Sequence, residues 1–270
     1  VWHPYHSKYE LYVSVIDGSG RNLLGEGFRQ PQFRPDGNLL AVNGDGAANL
    51  ANLVTMTSSG GDKREVSNNA EDGFPTWRAD GAIVAYSSSS WGDGRTRLGI
   101  VNDMNSRGQD WIPMGNAQIE GDYPFWMPDG RLVFNTCEFW GGGGSCGLYT
   151  VGAGGNATPQ RLTTHESDTA PTGSGSRVAF MSSRDGNWEV YRVNMDGSGL
   201  KRLTNNSAQD GLPTFSPDGR SIAFVSNRGG PWAIWVMDSD GSDQRKLFDL
   251  GGGYGSGEND WTRERISWAP

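Results

Sequence analysis

The chain has 270 residues, of which 35% are hydrophobic and 41 are glycine, so it carries enough apolar side chain to bury a core. A net charge of −8 and a pI near 4.9 leave no basic surface to release counterions from a phosphate backbone, which excludes nucleic acid as the expected partner. No apolar run approaches the roughly 20 residues of a spanning helix, and Val1 opens without a charged and apolar leader, so the expectation is a soluble, already processed chain with no membrane insertion.

In chain order, Tyr9 to Gly20 reads as a strand running into an Asp-Gly hairpin turn. Pro31-Gln-Phe-Arg-Pro-Asp-Gly37 then introduces a motif that returns as Pro75-Thr-Trp-Arg-Ala-Asp-Gly81, Pro124-Phe-Trp-Met-Pro-Asp-Gly130 and Pro213-Thr-Phe-Ser-Pro-Asp-Gly219. Pro171-Thr-Gly-Ser-Gly-Ser176 is a shortened form of it. In the full motif, Pro presets φ and Gly accepts φ > 0, so a short strand turns back into an apolar one. These second strands are Leu39 to Val42, Ile83 to Tyr86, Leu132 to Phe134, Val178 to Met181 and Ile222 to Val225. A polar loop leads to a third strand, such as Glu189 to Val193 or Ala233 to Met237, and a turn at Asp196-Gly-Ser-Gly199 or Asp240-Gly-Ser242. Lys201 to Thr204 and Arg245 to Phe248 supply fourth strands.

The anchor prolines stand 44, 49, 47 and 42 residues apart, the spacing of four-stranded propeller blades. Trp261 and Arg265 to Trp268 look like the first two strands of a further unit whose third strand begins at Tyr9. The sequence therefore predicts an all-β fold: a six-bladed β-propeller of four-stranded antiparallel blades, closed by N-terminal strands pairing with C-terminal strands. One domain would span 1–270, its last blade split between 1–27 and 258–270. Closure of this kind removes exposed sheet edges.

The run Phe215-Ser-Pro-Asp-Gly-Arg-Ser-Ile-Ala-Phe-Val-Ser-Asn-Arg-Gly-Gly-Pro-Trp-Ala-Ile-Trp-Val-Met-Asp-Ser-Asp-Gly-Ser242 resembles the repeat of the TolB-like propellers, and the repeats cover nearly all of the chain. That resemblance implies a periplasmic, non-enzymatic propeller that binds a peptidoglycan-associated lipoprotein over its channel mouth. Similar propellers also serve as gating domains of serine peptidases and as parts of cell-surface proteins, so fold does not fix function.

With this connectivity, loops entering the first strands and loops between second and third strands share one face. Asp72, Asp122, Asp168, Asp210 and Asp260 stand just before first strands, with Gln30 or Glu26 in the first blade. They form a metal-site candidate for a hard cation such as Ca²⁺, or each caps its own turn. No motif requires a cofactor. Trp91, Trp140 and Phe139 lie in loops of that face and are candidates for stacking on a sugar or anchoring a peptide. Trp188, Trp232 and Tyr9 recur at matching positions and read as packing between blades. His6 and His165 fall on the same face, either as exposed loop residues or as an acid-base or ligand pair.

Cys137 and Cys146 bracket a glycine-rich stretch and read as a disulfide across a hairpin, with two reduced thiols as the alternative. A bridge points to an extracytoplasmic chain, whether periplasmic, secreted or at a cell surface. Gly143-Gly-Ser-Cys-Gly147 fits G-x-S-x-G without the strand-to-helix turn that gives it meaning. The expected function is a non-enzymatic binding or assembly module for a protein or glycan at the acidic, aromatic face, monomeric or part of a larger surface assembly. The alternatives are a carbohydrate-active propeller enzyme of lyase type and a structural repeat domain of a larger cell-surface protein.

Overall fold

The computed structural model describes residues 9–44, 52–89, 92–103, 108–114, 117–138, 145–152, 158–251, 254 and 260–270. β1 (Glu10–Val13) pairs antiparallel with β2 (Asn22–Glu26). The first blade is β3 (Phe28–Phe33), β4 (Leu39–Gly44), β5 (Leu53–Thr57) and β6 (Arg64–Glu65). The second is β7 (Gly73–Trp77), β8 (Val84–Ser88), β9 (Arg97–Asp103) and β10 (Gly108–Trp111). A two-stranded ribbon, β11 (Pro113–Met114) with β12 (Ala117–Gln118), leads to the third blade: β13 (Asp122–Trp126), β14 (Arg131–Glu138), β15 (Ser145–Gly152) and β16 (Gln160–Arg161). The fourth is β17 (Thr169–Ser174), β18 (Arg177–Ser182), β19 (Glu189–Asn194) and β20 (Lys201–Arg202). The fifth is β21 (Asp210–Phe215), β22 (Ser221–Ser226), β23 (Ala233–Asp238) and β24 (Arg245–Asp249).

Local chemistry builds the first hairpins. Asp36, Asp80, Asp129 and Asp218 each accept the N–H of the residue two ahead, all at 3.0 Å, while Gly37, Gly81, Gly130 and Gly219 hold φ between 69 and 84°. The second strands are buried almost end to end rather than alternately, because neighbouring blades cover both faces of each sheet.

One feature recurs that no residue type advertises. The residue before each anchor proline has positive φ: Gln30, Phe74, Tyr123, Ala170 and Leu212, between 49 and 54°. The ladder breaks register at each of these places. Such a backbone costs about 1–3 kcal/mol per residue and needs surrounding packing to hold it. The packing is at the axis, where Phe74, Tyr123, Ala170 and Leu212, from four blades, meet Trp261 and Ile266 in one buried cluster.

The blade count corrects the sequence expectation: the described residues form five four-stranded blades, not six. The expected pairing of N-terminal with C-terminal strands is absent among them. β1 pairs with β2 alone, Asp260–Arg263 forms a 3₁₀ helix, and 264–270 holds no strand. The physical reason is burial: Trp261 and Ile266 enter the apolar cluster at the axis and Arg265 donates to the Pro75 and Pro124 carbonyls, so this segment packs against the blades rather than pairing with β1.

Candidate functional site

The loop entering a first strand and the loop leaving a second strand meet in the fourth and fifth blades through ion pairs. Arg184 Nη2 donates to both oxygens of Asp168, at 2.5 and 2.6 Å, and Arg228 Nη2 donates to Asp210 Oδ2. Asp210 also accepts from Asn206 Nδ2 at 2.6 Å. Both carboxylates are fully buried. Each guanidinium lies over aromatic rings of its own blade, Arg184 over Phe180 and Tyr191, Arg228 over Phe224 and Trp235. Two of the five candidate aspartates are therefore internally neutralised by arginines that sequence reading left unassigned. A signal for them existed: Ser182-Ser-Arg184 and Ser226-Asn-Arg228 close the two second strands with the same Ser-x-Arg pattern.

Asp72 is fully buried, and its carbonyl accepts from Asn43 Nδ2 at 2.8 Å. Asp122 Oδ1 accepts from Ser87 Oγ at 2.7 Å and from the Tyr123 N–H at 2.9 Å, while Arg263 Nη2 reaches Oδ2 at 3.3 Å. Asp260 opens the 3₁₀ helix. Among the described residues, no group of three or more His, Cys, Asp or Glu is placed to hold a metal ion.

Asp122 and Asp168 come together on the wall of a polar cleft of about 280 Å³ between the second, third and fourth blades. Arg95, Thr96, Glu120, Asn135, Thr136 and Glu166 also line it. Arg95 is paired with Glu120 at 2.7 Å, and Asn135 Oδ1 is buried with no hydrogen-bond partner among the described residues. Cys137 borders the same cleft and is bonded to Cys146, directly opposite it on β14 and β15.

His165 turns its Nδ1 inward, 2.8 Å from Ser167 Oγ, which in turn lies 3.0 Å from Ser182 Oγ. That ring nitrogen thus belongs to the turn that presents Asp168. Trp91, Trp140, Phe139 and His6 lie outside the described residues. Trp188 and Trp232 pack on Trp261, with ring centroids 6.3 and 4.9 Å away.

The axis is filled by the chain itself. Arg265 is buried and donates to the carbonyls of Pro75 at 2.6 Å and Pro124 at 3.1 Å, joining the C-terminal segment to the second and third blades. Burial pulls its guanidinium down to about 10. Arg263 lies over Phe74 and Tyr123, Tyr123 Oη donates to the Thr262 carbonyl at 3.0 Å, and Gln30 Nε2 donates to the Arg263 carbonyl at 2.8 Å.

Comparison with known proteins agrees with this architecture. Residues 169–262 match the family model of the TolB beta propeller domain. A TolB-type protein from Agrobacterium tumefaciens superposes with a TM-score of 0.70 at 22% identity, over 92% of this chain and 91% of that one. TolB from Acinetobacter baumannii gives 0.75 at 22% identity, over 91% of this chain and 61% of that one. An oligogalacturonate lyase in complex with manganese gives 0.58 at 16% identity, over 94% and 74%. No curated protein matches the chain by sequence. Repeats, blade architecture and the direct match of its fourth and fifth blades show a β-propeller fold similar to that of the TolB proteins.

Proposed function

We propose that the chain is a non-enzymatic binding module that works outside the cytoplasm and takes a protein partner at the polar cleft between its second, third and fourth blades. The cleft carries this reading, because it gathers polar groups from three blades on one face while the axis is filled. Asp168, Glu120 and Asp122 each have an arginine beside them, so exposed Glu166 is the acceptor left for a partner. The net charge of −8 steers a partner rich in Lys or Arg toward such a surface and repels polyanions. That repulsion sets the lyase reading second, with a neutral glycan as the alternative ligand. The Cys137–Cys146 bond supports an oxidising compartment, and the TolB likeness suggests a peptidoglycan-associated lipoprotein as the first partner to try.

The test is calorimetric titration with the soluble domain of such a lipoprotein and with neutral and acidic oligosaccharides. A protein complex that weakens with salt, and that Glu166→Gln weakens about ten-fold, is expected. Turnover of any oligosaccharide, or affinity indifferent to that substitution, overturns the reading.

A further inference from the structure

The turn that presents Asp168 carries a hydrogen-bond chain whose direction is fixed at both ends. Ser182 Oγ accepts two N–H groups of Arg184, the backbone N–H at 3.3 Å and Nε at 3.2 Å, and so directs its own proton to Ser167 Oγ, 3.0 Å away. Ser167 Oγ also accepts the Ser183 N–H at 3.0 Å, which fills it as an acceptor and sends its proton to His165 Nδ1 at 2.8 Å. From the other end, the Ser167 N–H donates to the same Nδ1 at 3.3 Å, which requires a lone pair there. The ring in this arrangement is neutral, with its proton on Nε2, and the chain runs from Ser182 through Ser167 to His165.

A second ring proton, at Nδ1, opposes every link. Nδ1–H then confronts two donors, the N–H and the O–H of Ser167. Ser167 can accept it only by turning its own hydroxyl proton toward Ser182 Oγ, whose two lone pairs are already taken by Arg184. One Arg184 donor must leave, and the side-chain Nε–H is the one free to rotate away. Arg184 supplies the counter-charge of buried Asp168, so a proton gained at the ring is felt at the ion pair. Glu166, on the cleft wall, stands between His165 and Ser167 and is carried with them.

The fifth blade holds the same clamp without the histidine. Ser226 Oγ accepts the backbone N–H and Nε of Arg228 at 3.2 and 3.1 Å, and Arg228 pairs with Asp210. Ser207 and Gln209 stand before Asp210 where His165 and Ser167 stand before Asp168. The charged groups around the ring are Glu166 and Asp168 on its own turn, Arg161 on β16, Arg184 and Asp185 after β18, and Arg95, Glu120 and Asp122 across the cleft. Asp168, Asp185, Glu120 and Asp122 have arginine partners, which leaves exposed Glu166 as the carboxylate open to an imidazolium.

We propose that His165 is a proton-driven switch in the wall of the polar cleft: protonation of its ring reverses the Ser182–Ser167 chain and releases Arg184 Nε–H from Ser182, while the matching clamp of the fifth blade is unaffected. No partner at the cleft is needed for it.

The test is nuclear magnetic resonance on the intact ¹⁵N-labelled chain, titrated from about pH 8 to about pH 5, the range in which histidine changes charge. At the alkaline end the His165 ring should be the Nε2–H tautomer. On acidification the Arg184 Nε–H resonance should shift in step with the ring, and that of Arg228 should not. Ser167→Ala should leave the ring titrating and uncouple Arg184 from it. An Nδ1–H tautomer, a ring that stays neutral throughout, an Arg184 signal that ignores the ring or moves no more than that of Arg228, or a coupling that survives Ser167→Ala overturns the proposal. The tautomer and the two arginine signals are read on the unaltered chain, so the result does not depend on whether a variant folds. Because no partner enters the measurement, the switch and the binding role of the cleft can fail separately.

Discussion

Asp168 and Asp210 show how a buried carboxylate is tolerated: a guanidinium from the same blade meets its charge, and flanking aromatic rings hold that guanidinium in place. Removing one partner strands the other, so Arg184→Ala should lower stability by about 3 kcal/mol in urea unfolding. Asp168→Asn with Arg184→Met should cost less than the two single changes added together, a coupling that a double-mutant cycle reads directly. Because arginines already supply the counter-charge, Ca²⁺ in place of EDTA should leave Tm unchanged. A rise of several degrees, abolished by Asp72→Asn with Asp210→Asn, would instead establish a cation at the aspartates. The positions of Asp72, Asp168 and Asp210 were legible because each stands three residues before its anchor proline. Their partners were not, because Arg184 and Arg228 reach back 16 and 18 residues, a distance that only the hairpin closes.

Hairpins are the elements that local sequence specifies best, and their turns carry a pH signature. Asp36 and Asp80 are held below the usual carboxylate range by the guanidiniums of Arg34 and Arg78, and Asp196, Asp218 and Asp240 by the hydroxyls of Ser198, Ser216 and Ser242, with backbone N–H groups adding to each. A depressed folded value means stability that is complete above about pH 4, where the unfolded chain is also ionised, and that is lost as pH falls through the folded values. Tm should therefore drop steeply below about pH 4, and a variant with all five changed to Asn should show a shallower slope in that range. The bulges before the anchor prolines were not legible, since nothing local favours positive φ in Phe74 or Tyr123. They exist because the axis rewards side chains aimed at it. Phe74→Ala should accordingly cost about 3–5 kcal/mol, measured by chemical denaturation.

At the scale of the whole molecule, the C-terminal segment closes the axis through Arg265, whose two carbonyl partners belong to different blades. Arg265→Met keeps the volume but leaves the Pro75 and Pro124 carbonyls without their donor. A loss of about 3 kcal/mol is expected, read as a lowered urea midpoint with an unchanged m-value. What the sequence by itself determined was the local chemistry of one blade: the Pro-Asp-Gly turns, the second strands and the blade period, because turn chemistry and strand pattern act over a few residues. Only the tertiary structure decided the blade count, the filled axis and the arginine partners. Each of these depends on which distant segments meet. Residues 261–268 looked like strands in isolation, but in the folded chain burying Trp261 and Arg265 among five blades competes with strand pairing and prevails.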